Sequence, residues 1–316
     1  MNVSHKIYII GGAVIDVSLC PVNASIFSCP STSIEAIPMQ TGGDAMNEAS
    51  VLARLGTPVS LITLVGRDSA GQFIQDSCKT LGIDMSHIVV SESVPTSVNV
   101  VLVDEHGERR FVTAKNSSLR MLDAQMIRSG LDGLNQGDIV CLASLFVSPQ
   151  LKHGDVSDIF SDLKSRGCTI CADMTRRKNG ETAENMKPVF KYIDYLFCNG
   201  EEGAILTGKD EPEDIASALF EQGAKHILVK LGERGCYIKS HALTRYFNAF
   251  KNAKVLDTTG AGDTFAAAFI YALSNHSSLE DCVRFANAAA SICVEHRGCA
   301  AHNINLQDII NRMQAR

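Results

Sequence analysis

The chain has 316 residues, of which 45% are hydrophobic and 20% charged, and its formal net charge is −6. At about 150 residues per domain, this length predicts two domains or one large α/β unit. The acidic balance argues against nucleic acid as a partner, because phosphate backbones are bound by clustered positive charge. We find no uncharged apolar run of about 18 residues, so we also expect no membrane span.

The N-terminal sequence and the cysteines lead us to expect a cytoplasmic protein. The apolar stretch Ile7–Ile10 is too short to be the core of a secretory signal. The eleven cysteines are odd in number and scattered, several of them within apolar runs, which is typical of reduced and buried thiols. Cys168 and Cys171 lie three apart on a predicted strand and therefore face opposite sides, which argues against a zinc site.

Short apolar runs alternate along the chain with amphipathic segments. The runs that predict strands are 6–10, 59–65, 138–146, 168–173, 192–198, 226–231 and 236–239. The segments that predict helices are 43–55, 70–81, 156–166 and 211–222, followed by the alanine-rich 262–274 and 279–294. Strands that alternate with helices predict an α/β fold with a mainly parallel sheet and helices on both of its faces.

Two segments interrupt this alternation. Residues 13–41 lack helical periodicity and contain three prolines, and residues 96–115 contain two strand patterns around the turn sequence at 104–107. A hairpin and an extended excursion inserted in an α/β core can pair as a small accessory sheet. We interpret this sheet as a lid over a site, and the alternative is a surface ribbon without a moving part.

The run DTTGAGDTF at residues 257–265 carries the strongest chemical signal. Gly260 and Gly262 allow the backbone to approach a ligand closely, and the first amides of the helix that follows make an anion hole. Asp263 lies in the first turn of that helix, beside the place where an anion binds. A carboxylate there is suited to take a proton from a hydroxyl that attacks a phosphate, whereas the alternative is an ordinary helix-start carboxylate.

This run resembles the signature of the ribokinase-like (PfkB) carbohydrate kinases. Four further motifs follow the family's order and spacing: GGAVID at 11–16, GGDAMN at 42–47, NGEE at 199–202 and KLGERG at 230–235. The resemblance implies one ribokinase-like three-layer α/β/α domain over residues 1–316, with a small β-sheet lid formed by 13–41 and 96–115. It also implies ATP and Mg²⁺ as cofactors and a homodimer paired through the lids, for which the apolar run Val98–Val103 is a candidate.

The resemblance also implies a role for each matched position. Asp263 falls on the catalytic base, with Gly260, Ala261 and Gly262 on the anion hole. The positions that contact the sugar are Asp16, Gly42, Gly43 and Asn47. Arg176 lies in a stretch that resembles fructokinases and 2-keto-3-deoxygluconate kinases, where it can touch a phosphate or an acidic group of the substrate, and a solvated arginine is the alternative. The positions that contact the nucleotide are Asn199, Lys230, Gly232, Gly235 and Asn287. Asn199 and Glu202 match the positions that organise magnesium, through its waters, and Asp257 and Thr259 resemble a monovalent-cation site that takes K⁺ in several members.

Several of these roles have a physical basis and an alternative. Asp16 follows a strand at the carboxyl edge of the predicted sheet, where its carboxylate can accept two hydroxyl hydrogen bonds. Asn199 and Glu202 also follow a strand, and a helix cap with a first-turn glutamate is the other interpretation. On the predicted hairpin, alternation brings only one of Arg109 and Arg110 to the substrate, and we assign Arg110 to it.

Our hypothesis is therefore an ATP-dependent kinase that phosphorylates a hydroxyl of a sugar, a sugar phosphate or a sugar acid. A nucleoside kinase is the alternative within enzymes, since adenosine kinases share these signatures. Such a pocket needs an aromatic stack for the base, and residues 13–41 contain a single aromatic, Phe27. A non-catalytic sensor on the same fold is the alternative outside enzymes, although such a chain is expected to lose Asp263 or the glycines.

Overall fold

The structure is a computed structural model that describes residues 5–106, 108–251, 253–296, 298 and 304–314. The strands are β1 (Ile7–Ile10), β2 (Val14–Leu19), β3 (Met39–Gly42), β4 (Val59–Gly66), β5 (Ile88–Ser91), β6 (Val98–Val103), β7 (Arg109–Thr113), β8 (Ile139–Leu145), β9 (Thr169–Met174), β10 (Tyr195–Asn199), β11 (His226–Lys230), β12 (Cys236–Ser240) and β13 (Thr244–Phe247). The helices are α1 (Asp44–Arg54), α2 (Ser69–Leu81), α3 (Ala124–Gly130), α4 (His153–Ser165), α5 (Lys187–Phe190), α6 (Gly200–Thr207), α7 (Pro212–Glu221), α8 (Ala261–Ser274), α9 (Leu279–Cys293) and α10 (Leu306–Gln314).

A nine-stranded sheet forms the centre of the fold, in the order β13-β12-β11-β10-β9-β8-β1-β4-β5. Seven neighbouring strands of this sheet, β11, β10, β9, β8, β1, β4 and β5, pair in parallel. At the other edge, β12 and β13 pair antiparallel. Parallel strands place their carboxyl ends along one edge of the sheet, which is where ligands bind in open α/β sheets. The predicted mainly parallel α/β sheet is thus confirmed.

The core has one apolar layer on each face of this sheet. Helices α1, α2, α8, α9 and α10 pack on one face, and α3 to α7 pack on the other. Alternation along β1 divides its side chains between the layers, with Ile7 and Ile9 in the first and Ile10 in the second. Cys171 lies in the first layer and Cys168 in the second, as the strand pattern predicts. These contacts confirm the three-layer α/β/α architecture.

A second sheet of four strands has the order β3-β2-β6-β7. Its strands come from the two segments, 13–41 and 96–115, that interrupt the α/β alternation, although β3 extends to Gly42. β2 pairs in parallel with β6, and β3 and β7 pair antiparallel at the two edges. The small accessory sheet is therefore present, and its action as a lid stays a prediction.

Further observations concern the membrane and the thiols. No helix in the described ranges combines the length and the apolar character needed to cross a bilayer. Of the ten cysteines in the same ranges, eight are buried, in agreement with the expectation of buried thiols.

Candidate active site

Polar side chains converge at the carboxyl edge of the central sheet. Asp173, Asn199 and Lys230 lie at the ends of β9, β10 and β11, which are neighbouring parallel strands. All three line a cavity of about 910 Å³, and so does Asp263 from the start of α8. Sheet topology therefore brings together residues from three of the sequence motifs.

The start of α8 has the geometry of an anion site. Gly260 precedes the helix with a φ of 72°, in the left-handed region that favours glycine. Thr264 makes the first i→i−4 helical bond, with its amide donating to the Gly260 carbonyl at 2.8 Å. The amides of Gly262 and Asp263 precede that bond and have no partner within the helix, whereas the Ala261 amide donates back to the Thr258 carbonyl at 3.2 Å. The positive end of the helix thus faces the place of an anion beside Asp263.

Asn47 connects Asp263 to the N-terminal part of the chain. It is buried on α1, and its Nδ2 donates to Asp263 Oδ2 at 2.6 Å across 216 positions of sequence. Burial and the nearby charge of Asp44 raise the pKa of Asp263 to about 8, although the Asn47 hydrogen bond opposes this rise. A carboxyl group with a pKa near the working pH is suited to act as a general base.

The cavity carries more negative than positive side chains on the strand ends and the helix starts. Asp44, Asp173, Glu202 and Asp263 all line it, together with Lys230. Lys230 Nζ lies 2.8 Å from one oxygen of Asp173 and 2.7 Å from the other. Burial lowers the pKa of Lys230, but the charges of Asp173 and Glu202 outweigh burial and raise it. Glu233, Arg234 and Lys251 also line the cavity, so its lining holds five carboxyl groups and three cationic side chains.

Asn199 and Glu202 form a capping box at the start of α6. The Asn199 amide donates to Glu202 Oε2 at 2.9 Å, and the Glu202 amide donates to Asn199 Oδ1 at 2.8 Å. Burial raises the pKa of Glu202 to about 7, against the effect of Lys230. Its other oxygen, Oε1, has no hydrogen bond within the described part of the chain. The pair is thus a helix cap that also lines the cavity.

These two side chains fit a magnesium ion that is held through water. Oxygen donors are the ligands that Mg²⁺ prefers, and it usually keeps several waters. Across residues 5–106, 108–251, 253–296, 298 and 304–314, no group of three or more His, Cys, Asp and Glu side chains is arranged to hold a metal. The described residues therefore offer a few oxygen atoms that can bind the waters of a magnesium ion, and no complete set of direct protein ligands.

Asp16 and Gly42 lie against each other on neighbouring strands of the second sheet. Asp16 is 9% exposed, and Asn99 on β6 donates to its Oδ1 at 2.8 Å. A Cβ on Gly42 would lie 2.1 Å from Asp16 Oδ2, so any other residue there displaces the carboxylate. Gly43 has a φ of 90°, which favours glycine. The prediction missed Asn99, whose signal was its position on a strand beside the Asp16 strand.

Two predicted arginines do not reach the cavity. Arg110 is 74% exposed and pairs with Asp104 at 3.5 Å, and Arg176 is 70% exposed and lies 3.7 Å from Glu201. The alternation of β7 turns Arg110 to solvent and Arg109 toward Asp257 and Thr259. A contact of Arg110 with the substrate stays a prediction. Arg176 follows β9 on an exposed loop, where solvent and Glu201 surround it.

Arg109 occupies the place predicted for a monovalent cation. Its Nη2 donates to Asp257 Oδ2 and its Nη1 to Thr259 Oγ1. Asp257 Oδ2 also accepts from the Gly298 amide at 2.7 Å, and Oδ1 accepts from the Thr259 amide at 2.9 Å. Because the guanidinium already places a positive charge against Asp257 Oδ2 and Thr259 Oγ1, these residues do not fit a K⁺ ion in this arrangement.

The remaining predicted nucleotide residues also line the cavity. Gly232, Gly235 and Asn287 line it, and Phe250 adds an apolar surface that the sequence did not predict. Asn287 Nδ2 also donates to the Phe247 carbonyl at 3.4 Å. That contact supports helix packing, so Asn287 combines a structural contact with a position on the cavity.

A family model and curated relatives are similar to this chain over most of its length. The profile of the "pfkB family carbohydrate kinase" matches residues 4–305. The chain is 26% identical over 269 residues to a ribokinase of Haemophilus influenzae, covering 81% of this chain and 82% of the relative. It is 28% identical over 270 residues to a 2-dehydro-3-deoxygluconokinase of Bacillus subtilis, covering 81% of each.

Solved structures agree in fold. Arabidopsis thaliana ribokinase, complexed with ribose and ATP, has a TM-score of 0.79 at 23% identity and covers 99% of both chains. A fructokinase double mutant of Vibrio cholerae, in a form with fructose, ADP and a potassium ion, has a TM-score of 0.81 at 23% identity and covers 98% of both chains. The match over residues 4–305 and the geometry of the cavity lead to one conclusion: the chain belongs to the pfkB family of carbohydrate kinases, which are phosphotransferases that act on a hydroxyl group.

Proposed function

We propose that this chain transfers the γ-phosphoryl group of ATP to a hydroxyl of a sugar or sugar derivative, with Asp263 as the general base. The observation that carries the proposal is the contact between Asn47 and Asp263 at 2.6 Å. This contact joins the sugar-binding motif to the base at the wall of the 910 Å³ cavity. The Haemophilus influenzae and Arabidopsis thaliana ribokinases support a sugar acceptor and ATP as the donor.

In the proposed reaction, the sugar lies between Asp16, Asn47 and the second sheet. The Asp16 carboxylate accepts hydrogen bonds from sugar hydroxyls, which fixes one of them toward Asp263. Asp263 accepts the proton of that hydroxyl as its oxygen attacks the γ-phosphorus and the bond to the β-phosphate oxygen breaks. The amides of Gly262 and Asp263 stabilise the charge that spreads over the transferred phosphoryl oxygens.

The carboxyl groups of the cavity are arranged to work with a divalent cation. Mg²⁺, when bound, supplies neutralisation of the phosphate charge. Glu202 and Asn199 would hold it through water, since their capping bonds leave Glu202 Oε1 free of hydrogen bonds in the described chain. Lys230, fixed by Asp173, places a further positive charge next to Gly262, where a Cβ would lie 3.2 Å from Lys230 Nζ.

The acceptor is a sugar or a sugar derivative rather than a nucleoside in this proposal. A nucleoside pocket needs an aromatic side chain to stack on the base, and Phe27, the aromatic residue of segment 13–41, is 86% exposed. Retention of Asp263 and the glycines around it favours a catalyst over a sensor. A cytoplasmic location stays a prediction.

A homodimer through the second sheet is part of the proposal. Large apolar side chains on this sheet and its loops are exposed: Phe27, Ile37, Met39, Phe111 and Val112. Contact with a second copy of the chain would remove them from water. The strand that we expected to supply the contact, β6, is instead partly buried inside the sheet. Light scattering of the purified protein measures the oligomeric state.

Release of ADP tests the proposed reaction. The acceptors are ribose, fructose, 2-dehydro-3-deoxygluconate and adenosine, each measured with ATP and Mg²⁺ against the rate without acceptor. We expect a sugar or sugar acid to stimulate ADP release, and the Asp263→Asn variant to reduce the stimulated rate at least about 10²-fold. Stimulation by adenosine alone would favour the nucleoside kinase, and sugar binding in a calorimeter without ADP release would favour the sensor.

A further inference from the structure

We propose that Arg109 acts as a built-in cation for the loop before the anion hole, so that this chain needs no monovalent metal ion. The inference rests on the proposed function, since the loop serves the anion hole of that reaction. Arg109 is a positioning residue, because its side chain contacts Asp257 and Thr259 rather than the reacting atoms.

The contacts between Arg109 and the turn at Asp257 and Thr259 are largely shielded from water. Asp257 is 7% exposed at its side chain, and the Arg109 side chain is 25% exposed. The two nitrogens of one guanidinium contact two residues of the same turn, Asp257 and Thr259, and the planar shape of the group suits such a paired contact. An ion pair that is shielded from water in this way is screened by salt much less than a surface pair.

The turn that Arg109 holds is continuous with the anion hole. Thr259 is followed by Gly260, and the Thr258 carbonyl accepts a hydrogen bond from the Ala261 amide at 3.2 Å. An uncompensated Asp257 carboxylate at this position would repel a phosphate at the start of α8. The charge of Arg109 removes this repulsion and fixes the turn from which the helix amides project.

The source of the charge decides how the protein responds to salt. A guanidinium keeps its charge at all physiological pH values, and Arg109 belongs to β7, an edge strand of the second sheet. The charge is therefore supplied by the chain itself, and its presence does not depend on the concentration of potassium. Removal of the guanidinium leaves Asp257 and the Thr259 hydroxyl as oxygen donors that can accept a metal ion.

The experiment compares the wild-type protein with Arg109→Met in potassium chloride and in choline chloride of equal ionic strength. Two quantities are measured: kcat/KM with the accepted sugar, and the midpoint of thermal unfolding without ligands. Arg166→Met is the control, because Arg166 forms an arginine–aspartate pair with Asp162 at 2.7 Å just before β9, at the opposite edge of the sheet. Arg109→Gln is measured in the same way in case the methionine variant does not fold.

We expect the wild type and Arg166→Met to change less than about twofold in kcat/KM between the two salts. Arg109→Met should lose at least about tenfold in choline chloride, the scale of a positioning defect, and regain part of it in potassium. The unfolding midpoint of Arg109→Met should rise by about 2 °C in potassium chloride, because an ion that binds the folded state stabilises it. The unfolding midpoint of the wild type should not rise.

Two results would overturn the inference: a wild-type protein that potassium activates tenfold or more, or an Arg109→Met variant that equals the wild type in both salts. If no sugar is phosphorylated in either salt, the proposed function fails. The inference about Arg109 is then tested by the unfolding midpoints alone. A potassium-dependent rise in the variant alone then supports the built-in cation, and an equal rise or no rise in both proteins overturns it.

Discussion

Replacement of Asp263 by asparagine should separate activity from stability. The change removes the proton acceptor but keeps a side chain of similar shape beside Asn47, which donates to Asp263 at 2.6 Å. We expect kcat to fall at least about 10²-fold, the lower range for a lost general base. Because burial and the charge of Asp44 raise the pKa of Asp263 to about 8, the wild-type kcat/KM should also depend strongly on pH.

The size of that dependence follows from the pKa. With a pKa of about 8, roughly one wild-type molecule in ten carries the ionised base at pH 7 and roughly nine in ten at pH 9. The wild-type kcat/KM should therefore rise about tenfold over this range, since kcat/KM reports the free enzyme. The residual activity of Asp263→Asn should not follow this curve.

Stability should change in the opposite direction. In the folded protein the pKa of Asp263 is raised from 3.8 to about 8. Between these two pH values the carboxyl group therefore carries a proton in the folded protein and not in the unfolded chain. Wild-type stability therefore falls as the pH rises through this window. Asparagine has no such proton to lose. The unfolding midpoint of the variant minus that of the wild type should therefore increase from pH 5 to pH 9.

Steady-state kinetics from pH 6 to pH 9 and thermal unfolding from pH 5 to pH 9 check these expectations. Asp281→Asn is the matched control, because Asp281 lies in the first turn of α9 as Asp263 lies in the first turn of α8. The control should retain wild-type turnover. A turnover of Asp263→Asn within about threefold of the wild type would refute the assignment of the base, since such a loss is far below the 10²-fold range.

Gly42→Ala should displace Asp16 and reduce kcat/KM for the sugar by about 10- to 100-fold, the scale for a shift of about 1 Å, and KM for ATP should not change. Gly154→Ala is the control, because a Cβ at that position meets nothing within 4 Å. Equal sugar kinetics in both variants would contradict the role of Asp16. Glu202→Gln keeps the capping acceptor but loses the charge, so the Mg²⁺ concentration for half-maximal activity should rise about tenfold. The 72% exposed neighbour Glu201 gives the control Glu201→Gln, and a magnesium titration that does not distinguish the two variants would remove Glu202 from the metal site.

The sequence predicted the central sheet well because its strands are buried on both faces. The run at 59–65, for example, corresponds to β4, in which all eight residues are buried. The strands β5 and β13 were missed, since each has only four residues and most of them are partly or fully exposed. Apolar continuity, on which the prediction depends, is absent where a strand lies at the edge of the sheet.

The candidate site was predicted where a motif fixes a backbone position and missed where a contact depends on strand register. Asp263 lines the cavity as expected from its place after Gly260 and Gly262. The choice between Arg109 and Arg110 required the pairing of β7 with β6, in which Arg109 lies opposite Val103. Asp44 was missed as a lining residue because its partner Ser144 of β8, whose hydroxyl donates to it at 2.8 Å, lies 100 positions away in the chain.

The contact between Asn47 and Asp263 spans 216 positions of the chain, and this separation has a consequence for biosynthesis. A ribosome must translate most of the gene before the second partner exists, and α8 must then dock against α1. Partly synthesised chains therefore contain Asn47 without Asp263. Until α8 has been synthesised, a chain lacks the residue that we propose as the base.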